Sequence, residues 1–377
     1  MRLLILDQFS ELGGGQQCLL ELLPAIRGRG WEAVVGLPGA GPLVARVRES
    51  GFETVELECG PYSYGRKTLA DTARFLAQTP RLARQIRGLA ERCGADLIYV
   101  NGPRLLPAAA RSGLPVVHHA HRILPSRAPR ELCGFAARSC GARVIAVCRY
   151  VAEPWMRFGA ERIAVIYNGV EGPRTLVPRR RGGAPTIACL GRIAPEKGQL
   201  DFVKAVRLID HEWPGCRFVI YGAALIADPA YEQQVRGAAR GMAVEFAGWH
   251  GDVQSVLADV DVLLVPSGEH EATTRVIPEA FAAGTPVIAF PSGGIPEVID
   301  HGRTGFLANN VPEMARLALE LLRDRPRWME ISSAARESWR QRFTLERWRN
   351  QVLDHISQPN IAAAISTSTP APASTGR

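Results

Sequence analysis

Short apolar segments alternate with helix-length amphipathic segments along nearly all of this chain, and this alternation strongly limits how it can fold. The first cycle runs from an apolar strand at Leu3–Leu6 through a glycine-rich turn to a helical pattern at Gln16–Ile26, and a second strand follows at Glu32–Gly36. Successive strands joined by helices lie parallel, because the helix carries the chain back across the sheet. Near-continuous apolar strands are typical of a sheet covered on both faces. The pattern therefore predicts an α/β fold with doubly wound parallel sheets.

The alternation is interrupted once, by a stretch rich in Gly, Pro and Arg that has no periodicity. Such composition is typical of a linker, and 377 residues exceed the length at which one hydrophobic core usually keeps growing. We therefore expect two domains. The expected organisation is a Rossmann-like domain at residues 1–171, a linker at 172–185, a second Rossmann-like domain at 186–340, a C-terminal helix at 341–356 and a disordered tail at 357–377.

Positive charge is concentrated in the first half of the chain. Residues 1–172 hold 22 Lys and Arg against 15 Asp and Glu, which accounts for +7 of the formal net charge of +8. Such asymmetry suits a nucleic acid, a phosphorylated acceptor or an anionic membrane surface, although arginine enrichment without a partner explains it equally well. No window has the roughly 18 to 20 uncharged apolar residues of a membrane span, and the first residues lack a secretory signal pattern. We therefore expect a cytoplasmic protein.

Two groups of arginines in the first half can form one membrane-facing surface. Four share one side of the helix predicted at Leu69–Arg92, and three flank Ile123 and Leu124 on a predicted loop. The arginines are Arg74, Arg81, Arg84 and Arg87 in the first group, and Arg122, Arg127 and Arg130 in the second. Each cation near anionic lipid contributes about 1 kcal/mol. Peripheral contact with the inner face of a membrane is one expectation, and a soluble face beside a soluble acceptor is the other.

Two cations and two glycines surround a turn directly after the strand predicted at Thr186–Leu190. The turn reads GRIAPEKG and runs from Gly191 to Gly198. The Arg192 guanidinium offers a planar fork for phosphate, Lys197 offers a point charge, and glycine lets backbone N–H groups approach the oxygens. Open parallel sheets bind ligands at the carboxyl ends of their strands, so this turn is a candidate phosphate site. The alternative is a solvated surface turn.

Two further loops follow later strands of the same predicted sheet. The segment EATTRVIPE places Glu271 at the N-terminus of a predicted helix and Glu279 on that helix, where carboxylates can accept hydrogen bonds from vicinal sugar hydroxyls. A capping acid and a solvated acid are the alternative for this pair. The segment PSGGIPEV, at residues 291–298, is a glycine-rich loop that can bring backbone amides against a bulky ligand. Three such loops after strands of one sheet are stronger evidence for a ligand-binding site together than any one loop is alone.

The string PSGEHEATTRVIPEAFAAGTPVIAFPSGGIPEVIDHGRTGFL, at residues 266–307, resembles the donor-binding core of the glycosyltransferase family 4 enzymes. The GRIAPEKG turn, the segment VIYNGV at 165–170 and Phe246-Ala247-Gly248 add to the resemblance, which is strong in the second domain and loose in the first. It implies the two-domain GT-B arrangement, with a C-terminal helix that crosses back to the first domain. It also implies a cleft that closes around the nucleotide sugar.

The resemblance assigns roles to residues of this chain. Arg192 and Lys197 stand where the family neutralises the donor diphosphate. Glu271 stands where the family contacts the hydroxyls of the donor sugar, and Glu279 where it binds the ribose hydroxyls. The other residues implied in donor binding are Gly14 and Gly15 in a first-domain glycine loop, Gly191, Thr273, Thr274 and Arg275, and the loop of Gly293, Gly294 and Ile295.

One histidine and one departure from the family pattern bear on the expected donor site. The stretch Leu114–His121 resembles the family's Pro-Val-Val segment that ends in a His facing the transferred sugar, which makes His121 a catalytic candidate; His118 and His119 are then structural. After its first Glu the family usually has a small residue and then Phe-Gly, whereas this chain has Ala272-Thr273-Thr274. This difference alters the size and polarity of the pocket and leaves the donor sugar open.

The resemblance implies a retaining transfer from a nucleoside-diphosphate sugar to the hydroxyl of a glycan or lipid-linked acceptor, with no cofactor, no obligatory metal and no nucleic acid partner. Arg192 and Lys197 take the place of the metal. A nucleotide-sugar 2-epimerase remains an alternative, and a nucleotide-sugar-binding scaffold remains another because of Thr273 and Thr274. A pyridine-dinucleotide dehydrogenase is disfavoured, because Gly13-Gly14-Gly15 lacks the G-x-G-x-x-G spacing.

Overall fold

The computed structural model describes residues 1–60, 69–124, 126–158, 162–173, 183–224, 229–268 and 271–358. These residues form two parallel β-sheets, one of seven strands and one of six, on either side of the predicted linker. Linker residues 174–182 and tail residues 359–377 lie outside the described residues. The predicted fold class, with two doubly wound α/β domains, is confirmed.

The first domain alternates strands and helices from its first residues to the linker. Its strands are β1 (Arg2–Leu6), β2 (Glu32–Leu37), β3 (Glu53–Glu56), β4 (Leu97–Val100), β5 (Val116–Ala120), β6 (Arg143–Ala146) and β7 (Ile163–Val165), and its helices are α1 (Gly14–Gly28), α2 (Pro42–Glu49), α3 (Leu69–Cys93), α4 (Leu106–Ala109), α5 (Arg127–Ser139) and α6 (Arg149–Arg157). The strand order is β3-β2-β1-β4-β5-β6-β7. Leu4 and Leu6 pack on one face of this sheet, and Leu3 and Ile5 pack on the other. Both faces are therefore buried, as the apolar strands predict.

The second domain repeats this design with a smaller sheet. Its strands are β8 (Thr186–Leu190), β9 (Arg217–Tyr221), β10 (Val244–Gly248), β11 (Val262–Val265), β12 (Val287–Ala289) and β13 (Phe306–Leu307), and its helices are α7 (Gln199–Glu212), α8 (Pro229–Ala238), α9 (Val253–Ala258), α10 (Val276–Ala283), α11 (Ile295–Val298), α12 (Val311–Arg323) and α13 (Arg325–Arg342). The strand order is β10-β9-β8-β11-β12-β13. In each sheet, then, the first and fourth strands of the domain are neighbours. Sheets of this order bind ligands in the crevice where the strand order reverses.

Two local predictions in the first domain are wrong. Arg127 and Arg130 lie on helix α5 rather than on a loop, because Cys133, Ala136 and Ala137 give that segment a buried helical face. Helix α1 begins at Gly14, so Gly14 and Gly15 form its first turn instead of a loop before it. This change places free backbone N–H groups at those two glycines, since the first N–H groups of a helix have no partner within it.

The last helix returns to the first domain, as the resemblance implies. This helix, α14 (Leu345–Ser357), packs Trp348, Val352 and Ile356 into the same core cluster as Leu3 of β1. At its end, the buried Arg143 guanidinium donates hydrogen bonds to the carbonyls of residues 355, 356 and 358 at 2.6 to 3.0 Å. Arg143 therefore satisfies carbonyl groups that every helix C-terminus leaves without intrahelical partners.

We expect Arg143→Met to loosen helix α14 from the first domain. The variant keeps the apolar stem but loses three charge-assisted hydrogen bonds, each worth about 1.5 to 3 kcal/mol. Amide hydrogen exchange in residues 345–357 should quicken while exchange in α12 stays unchanged. Arg138→Met, which removes an exposed arginine of α5, is the matched control. Unchanged exchange in α14 would show that apolar packing alone holds this helix.

Candidate functional site

The three loops singled out in the second domain meet at one edge of its sheet. The turn at residues 191–198 follows β8, the described residues 266–268 and 271–275 follow β11, and the turn at residues 290–294 follows β12. Because these three strands are neighbours and parallel, their carboxyl ends lie side by side. The edge combines cationic side chains, a carboxylate and glycine backbone.

Lys197 and Glu271 form the central contact of this edge. Lys197 Nζ lies 2.6 Å from Glu271 Oε2 and donates a second hydrogen bond, at 3.2 Å, to Thr274 Oγ1. Their side chains are 21% and 14% exposed, so the pair is partly shielded from water but still reachable. A compact ammonium held by a carboxylate and a hydroxyl is positioned to meet an anionic group entering the cleft. Thr274, where the family usually has glycine, thus helps to hold Lys197.

The turn after β8 requires its glycines. Gly191 has φ +141° and Gly198 has φ +70°, and a Cβ on Gly198 would stand 1.9 Å from the carbonyl oxygen of Pro266. Close approach between the first two loops is therefore possible only with glycine at this position. Arg192 extends from the turn with a partly exposed side chain and pairs with Glu196.

The prediction that Glu271 starts a helix is wrong. Helix α10 begins at Val276, and Glu271 lies in non-helical chain before it. Pro278 fits the first turn of a helix, where its missing N–H is not needed, and Thr273 with Thr274 has low helix propensity. Glu271 and Glu279 therefore do not share one helix, and the Glu271 carbonyl instead accepts a hydrogen bond from Gly294 N–H at 3.1 Å.

The Gly293-Gly294 turn lies against the backbone of the preceding loop. A Cβ on Gly293 would stand 1.8 Å from the Glu271 carbonyl oxygen, and one on Gly294 would stand 2.2 Å from that of Ala272. Ile295, which begins α11, is fully buried, and its N–H bonds to Ser292 O, so in this structure it supports the turn from the core. The glycines allow these two loops to pack without side chains between them.

Arg275 joins the two domains. Its guanidinium makes two hydrogen bonds to Glu21 on α1, at 2.7 and 2.9 Å, and its Nε lies 3.6 Å from Glu279 Oε1. All three side chains are no more than 17% exposed. Burial raises the pKa of Glu279 and the nearby Arg275 charge opposes that shift. Arg275 therefore links the carboxylate predicted to hold the ribose to the opposite wall of the cleft.

The first domain contributes a buried polar network at the carboxyl ends of β1, β4 and β5. Asn101 Nδ2 donates to Asp7 Oδ2 at 2.6 Å and to Gly15 O at 3.1 Å, and its Oδ1 lies 2.8 Å from His121 Nε2. Gln16 also donates to Asp7. Because the Asn101 nitrogen already serves two acceptors, its oxygen faces the imidazole, and His121 carries its proton on Nε2. Nδ1 of His121 is then an acceptor.

The network also sets protonation states. Burial lowers the pKa of His121 to about 3, so its ring is neutral near pH 7. Burial raises the pKa of Asp7 to about 6 despite several hydrogen bonds to its carboxyl group. Gly15 lies directly against this histidine, since a Cβ there would come within 3.1 Å of its ring. The first domain thus presents a neutral imidazole beside the N-terminus of α1.

Sequence reasoning missed Asp7, Asn101 and Glu21. Asp7 and Asn101 follow β1 and β4, the two strands that flank the reversal of strand order in the first sheet, and this position is the signal that would have found them. Glu21 lies in the middle of an amphipathic helix, and the sequence alone predicts an ordinary exposed acid at this position. Its role depends on Arg275, which lies 254 positions along the chain.

Comparisons with known proteins agree with this geometry. The two-domain arrangement, with the site residues at facing carboxyl edges, is the GT-B fold. The family described as Glycosyltransferase Family 4 matches residues 12–171, and that described as Glycosyl transferases group 1 matches residues 184–324. The chain belongs to the glycosyltransferase family 4 group of proteins.

Named relatives and a solved structure are similar to it. A GDP-mannose-dependent alpha-(1-6)-phosphatidylinositol monomannoside mannosyltransferase of Mycobacterium tuberculosis is 35% identical over 188 residues. The match covers 46% of this chain and 46% of that protein, so it spans about half the length of the relative. A GDP-mannose-dependent alpha-mannosyltransferase of the same organism is 27% identical over 79% of this chain and 80% of that protein. Anabaena Alr3699/HepE, in complex with UDP, has a TM-score of 0.80 at 23% identity over 95% of this chain and all of that chain, which shows the fold.

His118 and His119 are buried in the first sheet, as predicted for structural residues. His118 Nδ1 lies 3.1 Å from Val100 O, and burial lowers the pKa of His118 from 6.5 to about 4. A histidine with a depressed folded pKa stabilises the fold only above its unfolded pKa. Its contribution is lost as the pH falls from 6.5 towards 4, because the unfolded chain takes up the proton first.

We expect His118→Asn to flatten the acid side of the stability profile. The amide can replace the imidazole N–H facing Val100 O but does not titrate, so between pH 7 and 4 the free energy of unfolding should fall by about 3 kcal/mol less than in the wild type. Urea denaturation across this range measures the difference. His211→Asn, which removes an exposed histidine, should leave the profile unchanged. Identical profiles for wild type and His118→Asn would contradict the prediction.

Proposed function

We propose that this protein is a retaining glycosyltransferase that moves a sugar from a nucleoside-diphosphate sugar to an acceptor hydroxyl, in glycan, polysaccharide or glycolipid biosynthesis. The contact of Lys197 with Glu271 and Thr274, at the carboxyl edge of the second sheet, is the observation that carries this proposal. A cation for phosphate and a carboxylate for hydroxyls meet there, as a nucleotide sugar requires. Relatives named for GDP-mannose and a structural neighbour bound to UDP-glucose support this class of donor.

In this proposal the diphosphate lies between the two domains. Arg192 and Lys197 approach it from the second domain, and the free N–H groups at Gly14 and Gly15 approach it from the first. Negative charge grows on the phosphate as its bond to the sugar breaks, so these groups stabilise the transition state more than the bound substrate. We propose that the two cations do this without a metal ion.

The sugar lies between Glu271 and His121. Glu271 accepts hydrogen bonds from sugar hydroxyls, and the unprotonated Nδ1 of His121 accepts one from the opposite side. Because the imidazole is neutral near pH 7, it acts as an acceptor for a hydroxyl and does not repel the developing positive charge at the anomeric carbon. The Glu279 carboxylate, with Arg275 beside it, faces the ribose.

The acceptor oxygen attacks the anomeric carbon from the face that the phosphate leaves, which retains configuration. The acceptor hydroxyl gives its proton to the departing phosphate oxygen while the new glycosidic bond forms. No enzyme carboxylate serves as nucleophile in this path. A scaffold that binds nucleotide sugars without transfer would release no nucleoside diphosphate from candidate donors, with or without acceptor. A 2-epimerase would instead return an altered nucleotide sugar.

A thermal-shift screen of nucleotide sugars would identify the sugar and the base of the donor, because a ligand at 100 times its dissociation constant adds roughly 2.7 kcal/mol of apparent stability.

With that donor, Lys197→Ala should lower kcat about a hundredfold with a smaller change in donor KM, since it removes a positive charge that stabilises the growing negative charge on the phosphate. Lys204→Ala, on the exposed side of α7, is the matched control and should keep full turnover. Near-normal turnover of Lys197→Ala would refute this phosphate site.

Glu271→Gln should act through the sugar rather than the nucleotide. Activity with the true donor should fall steeply, since hydrogen bonds to a charged group are worth about 1.5 to 3 kcal/mol. Affinity for the free nucleoside diphosphate should fall much less, because the glutamine amide keeps one oxygen that can hold the Lys197 ammonium and Thr274 Oγ1 remains its second acceptor. Calorimetric titration with the diphosphate and initial rates with the sugar nucleotide separate the two effects. Intact transfer by Glu271→Gln would remove this residue from the sugar site.

We further propose that the face of the first domain covered by α3 and α5 contacts an anionic membrane. Helices α3 and α5 pack on the same face of the first sheet, and the four arginines of α3 are exposed on it. Helix α5 adds exposed Arg127 and a 70% exposed Phe135, beside which Leu132 is also exposed. In the described part of the chain, no helix combines the length and apolar character needed to cross a bilayer. Cations around an exposed aromatic ring suit attachment at the lipid surface.

We expect Phe135→Ser to weaken binding to vesicles of phosphatidylcholine and phosphatidylglycerol about tenfold, because a Phe side chain gains roughly 1.5 to 3 kcal/mol on burial. Trp249→Ser, which removes an exposed aromatic residue of the second domain, should bind as the wild type does. Vesicle sedimentation at low salt measures both. Equal recovery of wild type with neutral and anionic vesicles would contradict membrane contact.

A further inference from the structure

Glu297 belongs to the second domain, but its carboxylate is bound by the first. It lies on α11, directly after the Gly293-Gly294 turn. Its Oε2 accepts hydrogen bonds from Arg149 N–H at 2.8 Å and from the Tyr167 hydroxyl at 2.9 Å, and its Oε1 accepts one from Tyr150 N–H at 2.8 Å. All three donors belong to the first domain.

The two backbone donors are the first N–H groups of helix α6. Such groups have no partner within a helix and are usually satisfied by a side chain just before it. The residue at that position is Cys148, whose side chain makes no capping hydrogen bond. Glu297 therefore caps α6 across the domain boundary, and its negative charge meets the positive end of the helix dipole.

The same helix end touches the turn proposed to lie along the nucleotide sugar. A Cβ on Gly294 would stand 2.7 Å from Cys148 Sγ, and one on Gly293 would stand 3.1 Å from the Tyr150 ring. The glycine turn thus lies between the backbone of Glu271 and Ala272 on one side and the start of α6 on the other.

Further contacts place Glu297 at the boundary between the two domains. Arg342, at the end of α13, donates a hydrogen bond to the Glu297 carbonyl at 2.8 Å, and its guanidinium lies 5.5 Å from the centre of the Tyr167 ring. Burial, and then the bond to Glu297, raises the pKa of Tyr167 to about 12, so this phenol remains a hydrogen-bond donor across the physiological range.

We propose that Glu297 is a positioning residue that couples domain closure to the shape of the nucleotide-sugar site. Opening the cleft would leave both its carboxylate and the α6 N–H groups without these partners, so the contact favours the closed state. The closed state in turn holds the Gly293-Gly294 turn against Glu271, whose side chain anchors Lys197. This inference rests on the proposed function for the identity of the ligand. The capping contact of Glu297 with α6 does not depend on that function.

The test compares two helix caps of the same chemistry. Glu297→Gln keeps the size of the side chain but removes the charge and places an amide against the N–H donors. Asp324→Asn is the matched control, because Asp324 caps α13 by accepting from Arg327 N–H at 3.0 Å within the second domain. Both variants lose a charged cap, but only Glu297→Gln loses one that joins the domains.

The first readout does not depend on catalysis. In Glu297→Gln, amide hydrogen exchange over residues 149–152 should quicken at least tenfold, and small-angle scattering should give a larger radius of gyration that falls when saturating UDP or GDP is added. Asp324→Asn should change neither quantity. Unchanged exchange and an unchanged radius in Glu297→Gln would overturn the proposal whether or not the protein transfers sugar.

The second readout is the division between KM and kcat. If the variant spends less time closed, its donor KM should rise about tenfold, in proportion to the lost closed fraction, while kcat at saturating donor changes less than threefold. A tenfold loss in kcat with unchanged KM would also overturn the proposal. Failure of the proposed function looks different, because the wild type would then release no nucleoside diphosphate from any donor while the exchange and scattering differences persisted.

Discussion

A parallel sheet places the carboxyl ends of all its strands at one edge, and the chemistry of this protein depends on that constraint. The first six strands of each domain follow the same order, so each sheet presents the loops proposed to face the ligand where that order reverses. In the second domain this edge brings Lys197 to Glu271 across 74 positions of sequence. In the first domain it brings Asn101 to Asp7 and His121. The residues of neither cluster are neighbours in the sequence. The parallel direction of the strands brings them together.

Charged groups join the two edges across the cleft. Arg275 reaches Glu21, and Glu297 caps helix α6, so each domain supplies what the other leaves unsatisfied. The return of α14 to the first domain adds apolar packing around Trp348 to these polar contacts. Polar contacts can break when the cleft opens and re-form when it closes, whereas the apolar packing of α14 can stay in place throughout. That division of roles suits a protein proposed to close around its substrate.

Glycine and threonine illustrate how far the sequence could predict the site. The glycines at 293 and 294 predict a place of close approach, but the local pattern does not reveal that the nearest partner is the backbone of Glu271. In the sequence Thr274 is only a departure from the family pattern, whereas in the structure its hydroxyl accepts a hydrogen bond from Lys197. The local pattern predicts a helix start at Glu271, whereas in the structure Glu271 lies in non-helical chain and its carbonyl accepts a hydrogen bond from Gly294 N–H.

The sequence by itself determined the alternation of strands and helices, the division into two domains and the loops that carry the candidate residues. These properties are local, because apolar periodicity and glycine placement act over a few residues. Only the tertiary structure decided the tautomer of His121, the partner of Arg275 and the helix that Glu297 caps. Each of these depends on atoms brought together from distant parts of the chain, where burial and hydrogen-bond geometry, rather than residue type, decide what a side chain does.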